Sequence, residues 1–171
     1  FIFIKKYGKI YNIKKEGVSM QKRIITIQDI SCLGRCSITV ALPVLSSAGV
    51  ETTILPTAIL STHTGGFTGF TCCDLEKEVM PIVNHWMSLD DVKFDAVYTG
   101  YLASSYQVDL IKKVFNIIKE KHNVLIMVDP AMADNGKLYP GFTQDFADSM
   151  AELCGRADVI VPNLTEACFM L

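Results

Sequence analysis

The sequence predicts an α/β protein with a mostly parallel sheet, and two patterns indicate this class. Short apolar runs alternate with segments of helical period from Arg23 to the end of the chain, as in βα units that feed a parallel sheet. The apolar runs are also nearly free of charge, which is typical of strands covered by helices on both faces. A three-layer α/β/α arrangement is therefore expected, and 171 residues suffice for one domain of this kind.

The elements follow in order along the chain. Strands are predicted at Arg23–Gln28, Glu51–Thr57, Ala96–Thr99, Val124–Val128 and Val159–Val161. Helices are predicted near Ser37–Ser47, Cys73–Ser88, Ser105–Lys121 and Phe142–Leu153, with a last helix that opens at Leu164. Asp74 and either Ser104 or Ser105 are of the residue types that cap helix N-termini. No repeat, low-complexity stretch or linker divides these elements, so residues 20–171 are interpreted as part of a single domain.

The first nineteen residues are predicted to be a leader outside the native domain. The chain begins with Phe1 instead of methionine, and Met20 stands immediately before the first strand pattern. The apolar stretch near the start is too short for a signal peptide or a membrane span. We therefore expect Met20 to be the native start, with residues 1–19 either non-native or translated from an upstream codon.

Charge and cysteine usage narrow the class of partner. The formal net charge is −2 and no basic cluster follows Lys22, which argues against binding to nucleic acid or to an anionic membrane. Six cysteines show neither a CxxC pair nor the cysteine and histidine spacing of a zinc site. They are expected to be reduced thiols, packed as small buried hydrophobes, in a cytoplasmic protein. A small molecule is the expected ligand.

Polar residues follow each predicted strand. Because the carboxyl ends of parallel strands meet at one edge of a sheet, ligands collect there. The glycines in "STHTGGFTGF" (61–70) match neither a Walker loop nor the GxGxxG pattern, so no single motif identifies the ligand. The polar groups that follow the five strands are Asp29, residues 61–69, Gly100-Tyr101, Asp129-Pro130 and residues 162–166.

Taken together, these segments resemble one known family. The set consists of "IQDISCLGRCS" (27–37), "LPTAILSTHTGGFTG" (55–69), "YTGYLAS" (98–104), "VDPAMADNGKLY" (128–139) and "VPNLTEA" (161–167). In this order and spacing it resembles the pyridoxal kinase branch of the ribokinase-like superfamily, from Arg23 to Leu171. The resemblance implies ATP-dependent phosphorylation of the hydroxymethyl group of pyridoxal, pyridoxamine or pyridoxine, by a homodimer with a ribokinase-like fold.

The resemblance also implies a set of substrate contacts. A heteroaromatic alcohol needs flat apolar cover and a few hydrogen-bonding groups, and the matching residues are of suitable types. Many relatives carry a serine where this chain has Asp29, so the substrate atom that Asp29 contacts stays open. His63 is either a substrate contact or a loop histidine bonded to the backbone. The substrate-binding residues implied are Asp29, His63, Thr64, Gly65 and Tyr101.

ATP and Mg²⁺ are the cofactors that the resemblance implies. Phosphoryl transfer depends on positioning and on neutralising phosphate charge, and carboxylate and amide oxygens suit Mg²⁺. Asp129, Asn163 and Glu166 are expected to bind ATP, with Asp129 and Glu166 also near the metal. The Asn-x-x-Glu spacing places both side chains on the first turn of the last helix. Asp134 is either a further contact or an ordinary exposed loop residue.

The sequence also departs from the family in a motif that the family uses for catalysis. No Gly-x-Gly-Asp motif, which supplies the catalytic aspartate in the family, occurs in the 171 residues. That aspartate is expected beyond Leu171, so no catalytic residue is assigned here and the chain is expected to be an inactive N-terminal portion of the kinase. Two alternatives stay open. One is a hydroxymethylpyrimidine kinase of thiamine synthesis, and the other is a non-catalytic ligand-binding remnant.

Overall fold

The computed structural model describes residues 2–6, 9–13 and 21–171. Strands β1 (Ile2–Lys6) and β2 (Lys9–Ile13) pair as an antiparallel hairpin. Met20, the predicted native start, lies outside the described residues. Residues 21–171 form a sheet with helices packed against it, and a short second hairpin follows the strand at Leu125–Val128.

Six strands form the main sheet. They are β3 (Arg23–Leu33), β4 (Glu51–Thr62), β5 (Cys72–Asp74), β6 (Ala96–Thr99), β7 (Leu125–Val128) and β10 (Val159–Ile160). The spatial order is β10-β7-β6-β3-β4-β5, and every pair is parallel except β4 with β5. The second hairpin consists of β8 (Ala133–Asp134) and β9 (Lys137–Leu138). The predicted α/β class with a mostly parallel sheet is confirmed.

The described residues contain five helices, of which four lie between strands and the last follows β10. They are α1 (Ile38–Ser47), α2 (Glu76–Ser88), α3 (Ser105–Lys121), α4 (Gln144–Cys154) and α5 (Leu164–Met170). The chain crosses from β3 to β4 in one direction and from β4 to β6, β7 and β10 in the other. Right-handed crossovers therefore place α1 on one face and α2, α3 and α4 on the opposite face. Within the described part of the chain, no helix is both long and apolar enough to cross a membrane.

The two faces of the sheet differ in how well they are covered. On the α2–α4 face, Ile126 and Val128 are fully buried against helix residues such as Ile111. On the α1 face, Leu125 is 49 % exposed. Val159 on the edge strand β10 is 39 % exposed. In the described residues, helices therefore leave part of the α1 face of β7 and β10 uncovered.

Several predicted boundaries need correction. The first two strands of the main sheet continue to Leu33 and Thr62, because each supplies backbone hydrogen bonds to the other along this length. Asp74 is not the N-cap of α2, since it belongs to the edge strand β5 and Leu75 occupies the cap position. The Asp74 carboxylate still accepts a hydrogen bond from the Glu76 N–H at 2.7 Å.

Capping of α3 follows the prediction. Ser104 has extended backbone angles, and its hydroxyl accepts a hydrogen bond from the backbone N–H of Gln107 at 3.1 Å. This geometry satisfies one of the unpaired donors at the helix start. Ser104, and not Ser105, is therefore the N-cap residue of α3.

The cysteines are only partly as predicted. All six are free thiols, but Cys154 alone among them is buried. Burial is the first cause that raises the Cys154 pKa, to about 11. The expectation of buried thiols is therefore wrong for the other five.

Candidate functional site

A cleft of about 730 Å³ lies at the carboxyl ends of the strands, between α1 and the open face of the sheet. Its apolar wall comes from α1, through side chains such as Val40 and Val44. Tyr98 and Met127 form part of its floor. Six predicted site residues line the cleft: Asp29, His63, Thr64, Gly65, Tyr101 and Asp129. Asn163 and Glu166, predicted near the nucleotide, do not line it.

Asp29 lies within β3, where the pairing register shifts between Gln28 and Ile30, and not after the strand as expected. The side chain is buried, with 4 % of the residue exposed. Its Oδ2 accepts a hydrogen bond from the Ser31 hydroxyl at 2.9 Å. Its Oδ1 accepts one from the Ser37 hydroxyl. The carboxylate is thus held in place at the inner end of the cleft.

His63 connects two loops beside the cleft. Its Nδ1 accepts a hydrogen bond from the backbone N–H of Gly65 at 3.2 Å, as a loop histidine bonded to the backbone would. The ring packs on Gly34, where φ is +97° and a Cβ atom would collide with the imidazole. It also meets Phe67 edge-on, with ring centroids 5.0 Å apart. His63 therefore sets the position of the loop that presents Thr64 to the cleft.

Tyr101 supplies an aromatic surface at the rim. Its ring stacks on Phe142 with centroids 5.7 Å apart and an angle of 30° between the planes. Burial raises the pKa of the Tyr101 hydroxyl, and the nearby charge of Asp29 raises it further. The hydroxyl therefore stays protonated at neutral pH and keeps a donor for a ligand.

Asp129 follows β7 at the other end of the cleft. The Tyr98 hydroxyl donates a hydrogen bond to Asp129 Oδ2 at 3.4 Å. Burial is the first cause that raises the Asp129 pKa, and the charge of Glu166 is the second. Burial and the charge of Asp129 likewise raise the pKa of Tyr98, to about 12. Asp129 is therefore an anionic group in a partly desolvated, already negative environment.

Asn163 and Glu166 form a capping box at the start of α5, as their spacing predicts. Glu166 is buried, and its two oxygens accept from the backbone N–H groups of Asn163 at 2.8 Å and Met132 at 3.2 Å. The Asn163 amide accepts from the Glu166 N–H at 2.9 Å and donates to the Ala133 carbonyl at 2.8 Å. We call Asn163, Glu166, Met132 and Ala133 together the α5 clasp. It fastens α5 to the segment that follows Asp129.

The acidic residues near α5 differ in what they can offer a cation. In the part of the chain that the structure describes, no group of three or more histidine, cysteine, aspartate or glutamate side chains could hold a metal. Asp129 and Glu166 are close enough for one charge to raise the pKa of the other group, and carboxylate oxygens suit Mg²⁺. Asp134 is exposed, and its oxygens bond only to the neighbouring Asn135. Asp129 is therefore the donor that best fits a cation bound in the cleft.

Some cleft residues were missed by the sequence analysis. Ser31 and Ser37 bond to Asp29, and Tyr98 bonds to Asp129. Ser31 could have been found from a longer first strand, because residues two apart on a strand share a face. Tyr98 has no such signal, since its partner Asp129 follows a different strand.

A mostly parallel α/β sheet with a polar cleft at its carboxyl edge fits the ribokinase-like fold, and the comparisons with known proteins support this class. A profile of the phosphomethylpyrimidine kinase family matches residues 26–171, so the chain belongs to that family. The resemblance to pyridoxal kinases is confirmed by the relatives described next.

Three relatives illustrate the similarity. The Lactobacillus plantarum pyridoxal kinase structure has a TM-score of 0.78 and 35 % identity, over 87 % of this chain and 52 % of that one. A Bacteroides thetaiotaomicron protein named as a phosphomethylpyrimidine kinase, in an orthorhombic crystal form with pyridoxal, has a TM-score of 0.81 and 41 % identity, over 88 % and 51 % of the two chains. Pyridoxal kinase PdxY of Histophilus somni is 29 % identical, over 85 % of this chain and 51 % of its own length. The chain spans about a third to a half of the length of the first curated relatives it matches.

Proposed function

We propose that this chain forms the vitamer-binding part of an ATP-dependent kinase that phosphorylates the hydroxymethyl group of pyridoxal, pyridoxamine or pyridoxine. The observation that carries the proposal is the cleft, where an aromatic wall and several polar groups converge at the carboxyl edge of the sheet. A protein 41 % identical to this chain has been crystallised with pyridoxal, which supports the same class of ligand.

Each residue near Asp29 has a task in this proposal. Tyr101, stacked on Phe142, covers the pyridine ring. Thr64 and the backbone of Gly65 supply hydrogen bonds to the ring substituents. Asp29 bonds to the ring, and His63 holds the Thr64 loop in place through its bond with the Gly65 N–H.

The Asp129 end of the cleft is proposed to meet Mg²⁺ and ATP. Asp129 supplies a carboxylate oxygen, and Glu166 adds negative charge nearby. When bound, Mg²⁺ neutralises charge on the phosphates during transfer. Asn163 and Glu166 keep the Asp129 segment fastened to α5, because their hydrogen bonds already join these parts.

Turnover by these 171 residues is proposed to be negligible. The sequence contains no Gly-x-Gly-Asp motif, and a positioned general base contributes on the order of 10²–10⁴-fold to the rate. On this account the chain binds vitamers but does not phosphorylate them at a meaningful rate. The homodimeric state and the cytoplasmic location also stay predictions.

A hydroxymethylpyrimidine kinase is the second candidate. The description of the matched family, phosphomethylpyrimidine kinase, favours it. Its substrate is also a flat heteroaromatic alcohol, so the same cleft could accept it.

Isothermal calorimetry with a panel of ligands tests the proposal. The panel consists of pyridoxine, pyridoxamine, hydroxymethylpyrimidine and, as a control for non-specific binding, benzyl alcohol. We expect saturable one-to-one binding of the two vitamers, tighter than binding of the pyrimidine. Preference for the pyrimidine would favour the second candidate, and absence of saturable vitamer binding would overturn the proposal. A parallel assay of phosphate transfer from Mg-ATP should show no product, and efficient transfer would overturn the claim about the missing base.

A further inference from the structure

Asp29 is a buried acid in a cleft whose described lining contains no lysine or arginine. Its residue is only 4 % exposed, so water solvates the carboxylate poorly. The ion pairs found in the described residues involve other acids, namely Asp95, Glu51, Asp109 and Glu152. Burying a carboxylate without a positive partner is costly, which makes this placement informative.

The hydrogen bonds of Asp29 come from neutral side chains. Both oxygens accept from serine hydroxyls, one from Ser31 and the other from Ser37. A carboxylate has about four acceptor positions, so roughly two stay available to a ligand. The hydroxyls orient the group and reduce its desolvation penalty, but they bring no positive charge.

The other titratable groups near Asp29 are also unable to neutralise it. Tyr101 follows β6, and Cys72 belongs to β5. Burial raises the pKa of each, and the charge of Asp29 contributes in both cases, so both stay protonated and uncharged at neutral pH. His63, the sole imidazole in the described lining, accepts a hydrogen bond at Nδ1 from the Gly65 N–H, which requires a neutral ring nitrogen there.

A cationic group on the ligand could supply the positive charge that the described lining lacks. We propose that Asp29 selects heteroaromatic ligands that present a protonated ring nitrogen, with the N–H donating to the carboxylate. A pyridine ring can take up this proton, whereas a benzene ring of the same shape cannot. The inference rests on the proposed function and specifies which form of the vitamer the cleft binds.

A pair of ligands and a near-isosteric variant test this inference. The ligands are pyridoxine and its benzene analogue, in which a C–H group replaces the ring nitrogen. Asp29→Asn removes the charge but keeps the shape, and the serine hydroxyls can rotate to accept from the new amide. The wild type should bind pyridoxine about tenfold or more tightly than the analogue, because hydrogen bonds to charged groups are the stronger ones. In Asp29→Asn the ratio of the two affinities should fall by about threefold or more, because the amide can make only a neutral hydrogen bond to the ring nitrogen.

Asp91→Asn is the matched control, since Asp91 is an exposed aspartate on the loop between α2 and β6. It should leave the ratio of the two affinities unchanged. Absorption spectroscopy gives a second readout, because the spectrum of pyridoxine depends on whether its ring nitrogen carries a proton. Bound to the wild type, pyridoxine should show the ring-protonated spectrum, and bound to Asp29→Asn it should shift towards the neutral form.

The outcomes separate this inference from the proposed function. Absence of pyridoxine binding by the wild type would overturn both. Pyridoxine binding without preference over the analogue, or with a neutral ring, would overturn the inference alone. A preference that is undiminished in a folded Asp29→Asn would also overturn it. If that variant does not fold, the wild-type ratio and spectrum decide the question by themselves.

Discussion

The two ends of the cleft differ in what their polar side chains already bond to. At one end, Thr64 and Tyr101 line the cleft, and the Asp29 carboxylate keeps acceptor positions open. Near Asp129 at the other end, Asn163 and Glu166 do not line the cleft, and their side chains bond to backbone groups instead. Both sets occupy motifs of the same family at the same edge of the sheet. A motif residue can therefore contribute to a site either by contacting the ligand or by positioning the segment that contacts it.

This difference can be measured by separating stability from binding. Substitution of a residue that only contacts the ligand should weaken ligand binding and leave the stability of the fold unchanged. Substitutions in the α5 clasp should mainly lower the free energy of unfolding.

Glu166→Ala should lower the free energy of unfolding by about 2–4 kcal/mol, because the N–H groups of Met132 and Asn163 lose their acceptors. Urea denaturation followed by circular dichroism measures this. Leu164→Ala is the control on the same helix, since Leu164 is 83 % exposed, and should change stability by less than about 0.5 kcal/mol. Equal stability of the two variants would refute the α5 clasp.

Gly34→Ala should cost about 2 kcal/mol and also weaken pyridoxine binding, since the new methyl group strains a positive φ and pushes against His63. Gly141→Ala is the matched control. The φ of Gly141 is similar, +90°, but a Cβ atom there meets open space. Gly141→Ala should therefore lower the free energy of unfolding only through backbone strain, by about 1 kcal/mol. Denaturation and calorimetry together measure both effects. Identical behaviour of the two variants would show that His63 does not position the Thr64 loop.

Asp129→Asn should stabilise the protein modestly at neutral pH. Burial and Glu166 raise the pKa of Asp129, so the folded state holds its proton more readily than the unfolded chain does. The stability that this group contributes is therefore present at low pH and is lost as the pH rises through the folded-state pKa. The gain from Asn should shrink as the pH falls and vanish below the ordinary aspartate pKa of about 3.9. Thermal melts of the wild type and Asp129→Asn from pH 3 to 7 measure this gain. A stability difference that stays constant with pH would show that the explanation is wrong.

The sequence predicted where the site lies better than it predicted how the site is built. Apolar runs located the strands of the sheet, and the rim residues follow from parallel topology. The ends of β3 and β4 were missed because polar residues such as Asp29 and Ser31 look like a loop, whereas a neighbouring strand supplies the backbone bonds that continue them. The strand propensity of a short segment does not reveal whether a neighbouring strand is available to pair with it.

The same limit applies to the α5 clasp. The spacing of Asn163 and Glu166 places them correctly on the first turn of α5. Their bonds to Met132 and Ala133 join positions about thirty residues apart, which no local pattern reports. A capping box and a ligand-binding pair therefore look alike in sequence.

Pyridoxine binding by Thr64→Ala tests the central claim most directly. Pyridoxine lacks the aldehyde that would react with lysine amines, so the measured affinity reports the cleft. Thr68→Ala is the control, because Thr68 is exposed on the same loop and does not line the cleft. The account predicts that Thr64→Ala binds about tenfold more weakly than wild type, with stability within about 0.5 kcal/mol, and that Thr68→Ala matches wild type in both. Unchanged binding by Thr64→Ala, or equal weakening by Thr68→Ala, would contradict the assignment of this cleft as the vitamer site.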